Sequence, residues 1–584
     1  MIDRPSAPFV LIDDQRPDGV AMLYRDPVRV LQADRAADVA ALLGELRLAR
    51  DAGLHAAGYL AYGAGAALEP KLAAAGDAGM PLGWFGLFAA VDAVVATDWL
   101  PDPAGAATGP VVPRIDFAAY AGAFGHVQAA IAAGDIYQAN LTFPADIAVA
   151  GDPCALYARL RAAAAGGWGA LLWDGARHLL SCSPELFFTV AGDRLTARPM
   201  KGTATRGADA AADAAAKHAL ATDPKQRAEN LMIVDLLRND MARVAVAGSV
   251  AVPDLFTVET YPTIHQMTST VTATLKPGQS GVDVLAATFP CGSVTGAPKI
   301  RAMEIIAATE PWPRGVYTGT IGRIAADGDA AFNVAIRTLR VEAGTGIATM
   351  GLGSGIVADS DLHAEWAEAQ AKARFVGTGA RPFDLIETMR FDPMEGLCDL
   401  DRHMARLERS AAALGFGFDR HDVRNELQAA TFRLRTGARV RLMLARSGAM
   451  AIEARALPPV PDGPVDVTIV PLPVDPRDFR LMHKTSDRGF YDAARAAAGT
   501  WEVLFEAPDG RLTEGSFTSL FVGDGPMRTP ALDAGLLPGV LRQRLIAEGR
   551  AVAADLTRDD LRNGFRVGNA VRGLIVARLA ASAG

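Results

Sequence analysis

The stretch Gly377–Pro382 (GTGARP) closes a charged helical run and opens a new strand-like pattern, so it divides the chain into two unequal folding problems. A single hydrophobic core could not serve all 584 residues, and the roughly 200 residues beyond this break are enough for a domain of their own. Two further composition shifts, Leu100–Pro113 and the proline-rich Leu457–Pro464, read as connections. The expected organisation is a strand-rich region over 1–110, a central region over 111–377 and a C-terminal unit over 378–584. In the N-terminal part, strand-like runs such as Leu179–Cys182 and Ile347–Met350 alternate irregularly with helices. This pattern points to an α+β fold with a mixed or antiparallel sheet rather than a doubly wound one. In the C-terminal unit, Arg439–Ala445 and Val465–Val470 read as buried strands and His403–Leu414 as an amphipathic helix.

Composition removes several classes of function. Hydrophobic residues are 50% of the chain and charged residues 21%, which excludes a mainly disordered protein. Lys and Arg number 58 against 66 Asp and Glu, a net charge of −8, so no broad cationic surface for nucleic acid or anionic lipid is expected. No apolar run is long enough to span a membrane, and the opening residues lack a signal-peptide pattern. Cys154, Cys182, Cys291 and Cys398 are scattered, which argues against a disulfide framework or a zinc site. The expectation is a soluble, cytoplasmic protein.

The first chemical candidate is a helix from about Ser360 to Lys372, capped by Ser360. It places Glu365, Glu368 and Lys372 on one face. Alone, that is a solvated face with an internal ion pair. The preceding Gly351-Leu352-Gly353-Ser354-Gly355 changes its meaning, because alternate glycines let backbone N–H groups approach an anion. A second helix, about Pro224 to Arg238, carries Glu229 amid apolar residues, and with Glu365 and Glu368 it offers the hard oxygen ligands that suit Mg²⁺. Lys201, in Arg198-Pro199-Met200-Lys201-Gly202-Thr203, sits on a tight strand-end turn. Glu185 lies sixteen positions earlier, and strand pairing would set an amine against a carboxyl, a nucleophile and its proton donor.

Six motifs occur in order: GDIYQANL from Gly134, MIVDLLRND from Met232, FPCGSVTGAPKI from Phe289, RGVYTGT from Arg314, AIRT from Ala335 and GSGIVADSD from Gly353. Over about residues 1–375 they resemble the chorismate-utilising enzymes, and within them the branch that makes 4-amino-4-deoxychorismate. Lys201 marks that branch, since anthranilate-forming relatives usually carry Ala there. The water-activating lysine of isochorismate- and salicylate-forming relatives is absent near Gln138. The resemblance implies a large chorismate-binding sandwich and a covalent route, in which Lys201 attacks C2 of chorismate, Glu185 protonates the departing C4 hydroxyl and ammonia then adds at C4. It also implies Glu229, Glu365 and Glu368 as the Mg²⁺ shell, with Ser293, Tyr317, Arg337, Gly355 and Lys372 as substrate contacts. Two positions depart from the family: Gln226 stands where relatives are often acidic, and His265-Gln266 where they commonly carry a His at the second position. No cysteine sits in the glycine-flanked elbow of a glutaminase, so family analogy implies ammonia from a separate glutamine amidotransferase subunit.

The C-terminal unit has its own ordered set: LDRHMARL from Leu400, HKTSDR from His483, LTEGS from Leu512 and LLPGVLR from Leu536. It resembles the two-lobed fold-type IV pyridoxal-phosphate enzymes of the class IV aminotransferase group, over about residues 380–580. That resemblance implies pyridoxal 5′-phosphate as cofactor, with Lys484 as its bonding and proton-moving lysine and Glu514 on the pyridinium nitrogen. It implies that Arg406 and the Gly539–Val540 backbone hold the phosphate, and it allows a homodimer through this domain. Leu541 and Ser519 stand where many relatives carry Thr and Asn. Lyases and transaminases share the scaffold. Fusion to the first unit favours a lyase that eliminates pyruvate to give 4-aminobenzoate, a folate precursor. The alternative is an anthranilate-forming unit fused to a branched-chain or D-amino-acid transaminase-like domain.

Overall fold

The computed structural model describes residues 5–16, 19–69, 71–72, 79–164, 166–260 and 264–580. It forms two compact units. One comprises Met1–Leu100, Val111–Ile147 and Tyr157–Thr378; the other comprises Pro101–Pro110, Ala148–Leu156 and Gly379–Gly584. Leu100–Pro113, expected as a connection, contains strand Ala106–Pro113, and Ala107 belongs to the core of the second unit. Small residues that read as a linker by composition are here buried strand residues.

Among the described residues the first unit holds two ten-stranded sheets, and their recorded pairings are antiparallel. Val10, Leu172 and Leu179 of one sheet and Tyr59, Trp84 and Phe88 of the other share one core, so the sheets form a sandwich. Strand Ile347–Ile356 contains the whole Gly351–Gly355 run. Its alternate burial shows why: the glycines allow neighbouring groups to approach an extended strand. The chain passes from one sheet to the other at Ser183-Pro184-Glu185, between strands Arg177–Ser183 and Leu186–Ala191.

Among its described residues the second unit has a four-stranded antiparallel sheet and an eight-stranded mixed sheet, each with its own core. Strand Ala438–Leu444 alternates cleanly, burying Ala438, Val440, Leu442 and Leu444. Helix Leu400–Leu414 packs beside it and ends at Gly415 in left-handed backbone (φ 67°). Its buried face is unusual, because it carries His403 and Arg406 among Met404, Leu407, Ala411 and Leu414. No described helix is long and apolar enough to cross a membrane.

Candidate active sites

In the first unit, the sheet crossover fixes Glu185 by its backbone. The Ser183 hydroxyl donates to the Val334 carbonyl (2.6 Å), and the Glu185 N–H donates to Ser183 Oγ (3.2 Å). The Glu185 side chain is buried, with Oε1 lacking a hydrogen-bond partner among the described residues. Burial raises its carboxyl to about 7, against the opposing pull of the Ser293 hydroxyl and the Lys201 amine. Lys201 lies on strand Met200–Thr205, where Gly202 adopts φ +91° and Gln266 Nε2 donates to its carbonyl (2.7 Å). Burial, then the Lys372 charge, lowers the proton affinity of Lys201, while Glu185, Glu229 and Glu368 oppose them.

Gly355 provides the space for this amine. A Cβ there would fall 2.7 Å from Gln138 Nε2 and 3.3 Å from both Asn140 Oδ1 and Lys201 Nζ. Strand Gln138–Gly151 therefore brings two carboxamides to the amine, a role that no sequence pattern revealed. Ser293 Oγ lies 3.2 Å from Cys291 Sγ, within the short turn Gly292–Val294.

Helix Leu362–Ala371 is capped by Asp361, not by the expected Ser360. The Asp361 side chain accepts from the N–H groups of His363 and Ala364, whereas the Ser360 hydroxyl donates to Glu365 (2.6 Å). Lys372 donates to the Gly353 carbonyl (2.8 Å) and pairs with Glu368 (2.9 Å). Burial would raise the Glu368 carboxyl, but Lys372 holds it below its ordinary range. On helix Pro224–Ala242, burial raises Glu229, and Glu365 and Glu368 add to the rise while Lys201 and Lys225 oppose it. Glu229 thus feels both of the other carboxylates, and the chemistry of the three suits a hard cation. Their geometry is not that of a closed shell: among the described residues no three acidic, His or Cys side chains converge to hold a metal.

Tyr317 lines a cavity of about 100 Å³ with Trp312, Arg314 and Gly351. Arg314 there forms a buried pair with Glu310 (2.8 Å), which also accepts from the Thr142 N–H. Arg337 adopts φ 49°, and its carbonyl accepts from the Cys182 N–H (3.1 Å). His265 hydrogen-bonds to Asp213 (2.9 Å) and Thr260 (3.1 Å).

In the second unit, Lys484 follows the short helix Phe479–Met482. Burial, then Arg406, pushes its amine down to about 7, with Glu387 opposing and Arg488 and Arg441 adding. Burial raises the Glu514 carboxyl to about 7. One Glu514 oxygen accepts from the Tyr491 hydroxyl (2.6 Å) and the Leu537 N–H (3.1 Å). Arg406 Nη1 donates to the Pro538 carbonyl (3.3 Å). The segment Leu537-Pro538-Gly539 therefore touches both Glu514 and Arg406, and its Gly539 caps helix Val540–Ala547. A Cβ at Gly539 would fall 2.6 Å from Ser519 Oγ, so glycine there leaves room for the Ser519 hydroxyl. A lysine of low proton affinity, an arginine, a helix N-terminus and a buried carboxyl make a donor set that fits an aldehyde-bearing pyridine phosphate. Glu387, His403 and Tyr491 complete the surroundings and were not singled out in the sequence.

Comparisons with known proteins match this division. The family model for chorismate binding enzymes matches residues 7–377, and that for class IV amino-transferases matches residues 384–579. The chain is 45% identical over 251 residues to aminodeoxychorismate synthase component 1 of Salmonella typhimurium, covering 43% of this chain and 54% of the relative. It is 42% identical over 241 residues to anthranilate synthase component 1 of Haloferax volcanii, covering 41% and 46%. The chain thus spans about half the length of these curated relatives. The crystal structure of anthranilate synthase component I from Streptococcus pneumoniae superposes with a TM-score of 0.52 at 24% identity, covering 64% of this chain and 94% of that one. At that identity the likeness concerns the fold. With a family model matched over more than half of its length, the chain belongs to the chorismate binding enzymes and carries a class IV amino-transferase domain after them.

Proposed function

We propose that the chain makes 4-aminobenzoate from chorismate in two steps, one in each unit. The observation that carries this reading is the amine of Lys201, set against Gly355 and sharing its surroundings with the neutral-leaning carboxyl of Glu185. In the first unit, the neutral Lys201 amine forms a bond to C2 of chorismate while the C4 hydroxyl leaves. Glu185 gives that hydroxyl its proton, so it departs as water. Ammonia then forms a bond at C4, the bond from C2 to Lys201 breaks, and 4-amino-4-deoxychorismate is released. Ser293, Tyr317, Arg337, Gly355 and Lys372 are the proposed substrate contacts. Arg337 is suited by its fork of donors to a carboxylate. Glu229, Glu365 and Glu368 are proposed oxygen ligands for a Mg²⁺ ion that enters with the anionic substrate.

In the second unit, Lys484, Glu514, Arg406 and the Gly539–Val540 backbone would hold pyridoxal 5′-phosphate. When bound, that cofactor supplies an electron sink beside the substrate amine. Lys484, partly neutral near pH 7, takes the C4 proton of aminodeoxychorismate. The enolpyruvyl group leaves as pyruvate, and the ring becomes aromatic. Glu514, buried and partly protonated, keeps its position through Tyr491 and Leu537. A separate glutamine amidotransferase is the proposed source of ammonia, as the name "component 1" of the relatives favours.

Product analysis tests the reading. Given chorismate, an ammonium salt and Mg²⁺, the protein is expected to accumulate 4-amino-4-deoxychorismate without pyridoxal phosphate and to release 4-aminobenzoate and pyruvate with it. Anthranilate as the product would overturn the assignment of the first unit.

A further inference from the structure

Glu387 lies on strand Leu385–Asp392, and its side chain is 2% exposed. One of its oxygens accepts from Arg406 Nε (2.8 Å); the other accepts from Arg406 Nη2 (2.6 Å) and lies 2.6 Å from His403 Nδ1. His403 and Arg406 stand three positions apart on helix Leu400–Leu414, so both reach the same carboxylate. Burial would raise the Glu387 carboxyl, but Arg406, then His403, hold it far below its ordinary range. An ionised carboxylate offers acceptors only, so His403 Nδ1 carries the proton. His403 Nε2 is buried with no partner among the described residues. The same strand is tied to the cofactor lysine: the Ile386 N–H donates to the Lys484 carbonyl (2.8 Å), and Leu385 bridges Thr485.

A buried ion pair with a histidine beside it is a poor source of stability, because well-packed apolar residues often serve as well. Its value lies in geometry. Arginine on a free stem samples many rotamers, and a two-point grip on Nε and Nη2 removes that freedom before a ligand arrives. We propose that Glu387 is a positioning residue that fixes the Arg406 guanidinium for the phosphate ester of the cofactor and keeps a negative charge beside Lys484. The inference rests on the cofactor reading of the second unit and assigns the residue that prepares this site before the cofactor binds.

Charge and positioning predict opposite signs, which makes the proposal testable. Removing the Glu387 charge leaves the site more positive, so electrostatics alone would tighten binding of an anion. Loss of the grip on Arg406 would weaken it. Pyridoxine 5′-phosphate, which lacks the aldehyde, is the probe, titrated calorimetrically into the full chain. Glu387→Gln is expected to weaken its binding about tenfold, consistent with a lost charge-assisted contact. The same variant is expected to move the pH midpoint of Lys484 amine labelling, read by peptide mass spectrometry, to lower pH. Glu387→Asp keeps the charge but is one methylene short, so it is expected to weaken the probe while leaving that midpoint in place. Unchanged or tighter binding in Glu387→Gln, or wild-type binding in Glu387→Asp, would overturn the proposal. Should the variants fail to fold, nitrogen NMR of His403 in the wild-type protein decides. A proton on Nδ1 supports the grip, and the Nε2–H tautomer contradicts it. A wild-type chain that does not bind the probe would sink the cofactor reading and this proposal together; wild-type binding with an unaffected Glu387→Gln would sink the proposal alone.

Discussion

Lys201 and Lys484 are both buried amines whose hold on a proton is weakened, yet their neighbourhoods differ. Lys201 has the Lys372 cation working with burial and three carboxylates, Glu185, Glu229 and Glu368, working against it. Lys484 has three arginines, Arg406, Arg488 and Arg441, working with burial and Glu387 against it. Desolvation is the largest cause in each case. The balance of neighbours then matches the proposed ligand. A carboxylate-rich pocket suits a substrate that arrives with a cation and loses a hydroxyl, whereas an arginine-rich pocket suits a phosphate ester. Burial thus makes either amine available for chemistry, and the charges around it select what it meets.

The largest expected effects would break the comparison outright. Lys201→Ala should lower aminodeoxychorismate formation by about three orders of magnitude or more, as loss of a nucleophile does, while supplied aminodeoxychorismate is still converted. Lys484→Ala should show the mirror image. Both follow from product chromatography on matched protein concentrations. Next in size, Glu514→Gln should slow the second step about 100-fold, the scale of a lost proton-handling group, with the first step unchanged.

The pH profiles sharpen the comparison further. Glu185 is raised to about 7, so it is protonated below that pH and loses its proton as pH rises through it. The first step should therefore fall on the alkaline side of about pH 7, and Glu185→Gln should abolish that limb. Lys484 is lowered to about 7, so in the ligand-free protein its amine labelling should rise through pH 7 instead of near the ordinary lysine value of 10.5. The smallest effect belongs to Gly355→Ala. The added methyl would crowd Gln138 and press toward Lys201, which should cost about tenfold in kcat/KM for chorismate, on the scale of about 1–3 kcal/mol for overpacking.

Much of this was legible in the sequence because some residue types are hard to explain otherwise. A lysine in a Pro-Met-Lys-Gly turn and a glutamate in a Ser-Pro-Glu run both announced themselves. Strand pairing also suggested their meeting, but not the means of it, since Glu185 lies at the crossover between two sheets. The Gly351–Gly355 run was read for its backbone approach to an anion; in the fold its glycines are strand positions that let Lys201 and Tyr317 approach closely. Asp361 was passed over as a cap in favour of Ser360, one residue away and chemically equivalent by pattern. Glu387 was hidden in an ordinary strand. The pattern that could have exposed it is His403 and Arg406 on the apolar face of helix Leu400–Leu414, where two buried donors require a buried acceptor.

A complementation assay tests the central claim of two separate amines most directly. Lys201→Ala and Lys484→Ala proteins are each given chorismate, an ammonium salt, Mg²⁺ and pyridoxal phosphate, first alone and then mixed. The prediction is no 4-aminobenzoate from either alone, aminodeoxychorismate from Lys484→Ala, and 4-aminobenzoate from the mixture. Release of 4-aminobenzoate by either variant alone, or of anthranilate by Lys484→Ala, would contradict it.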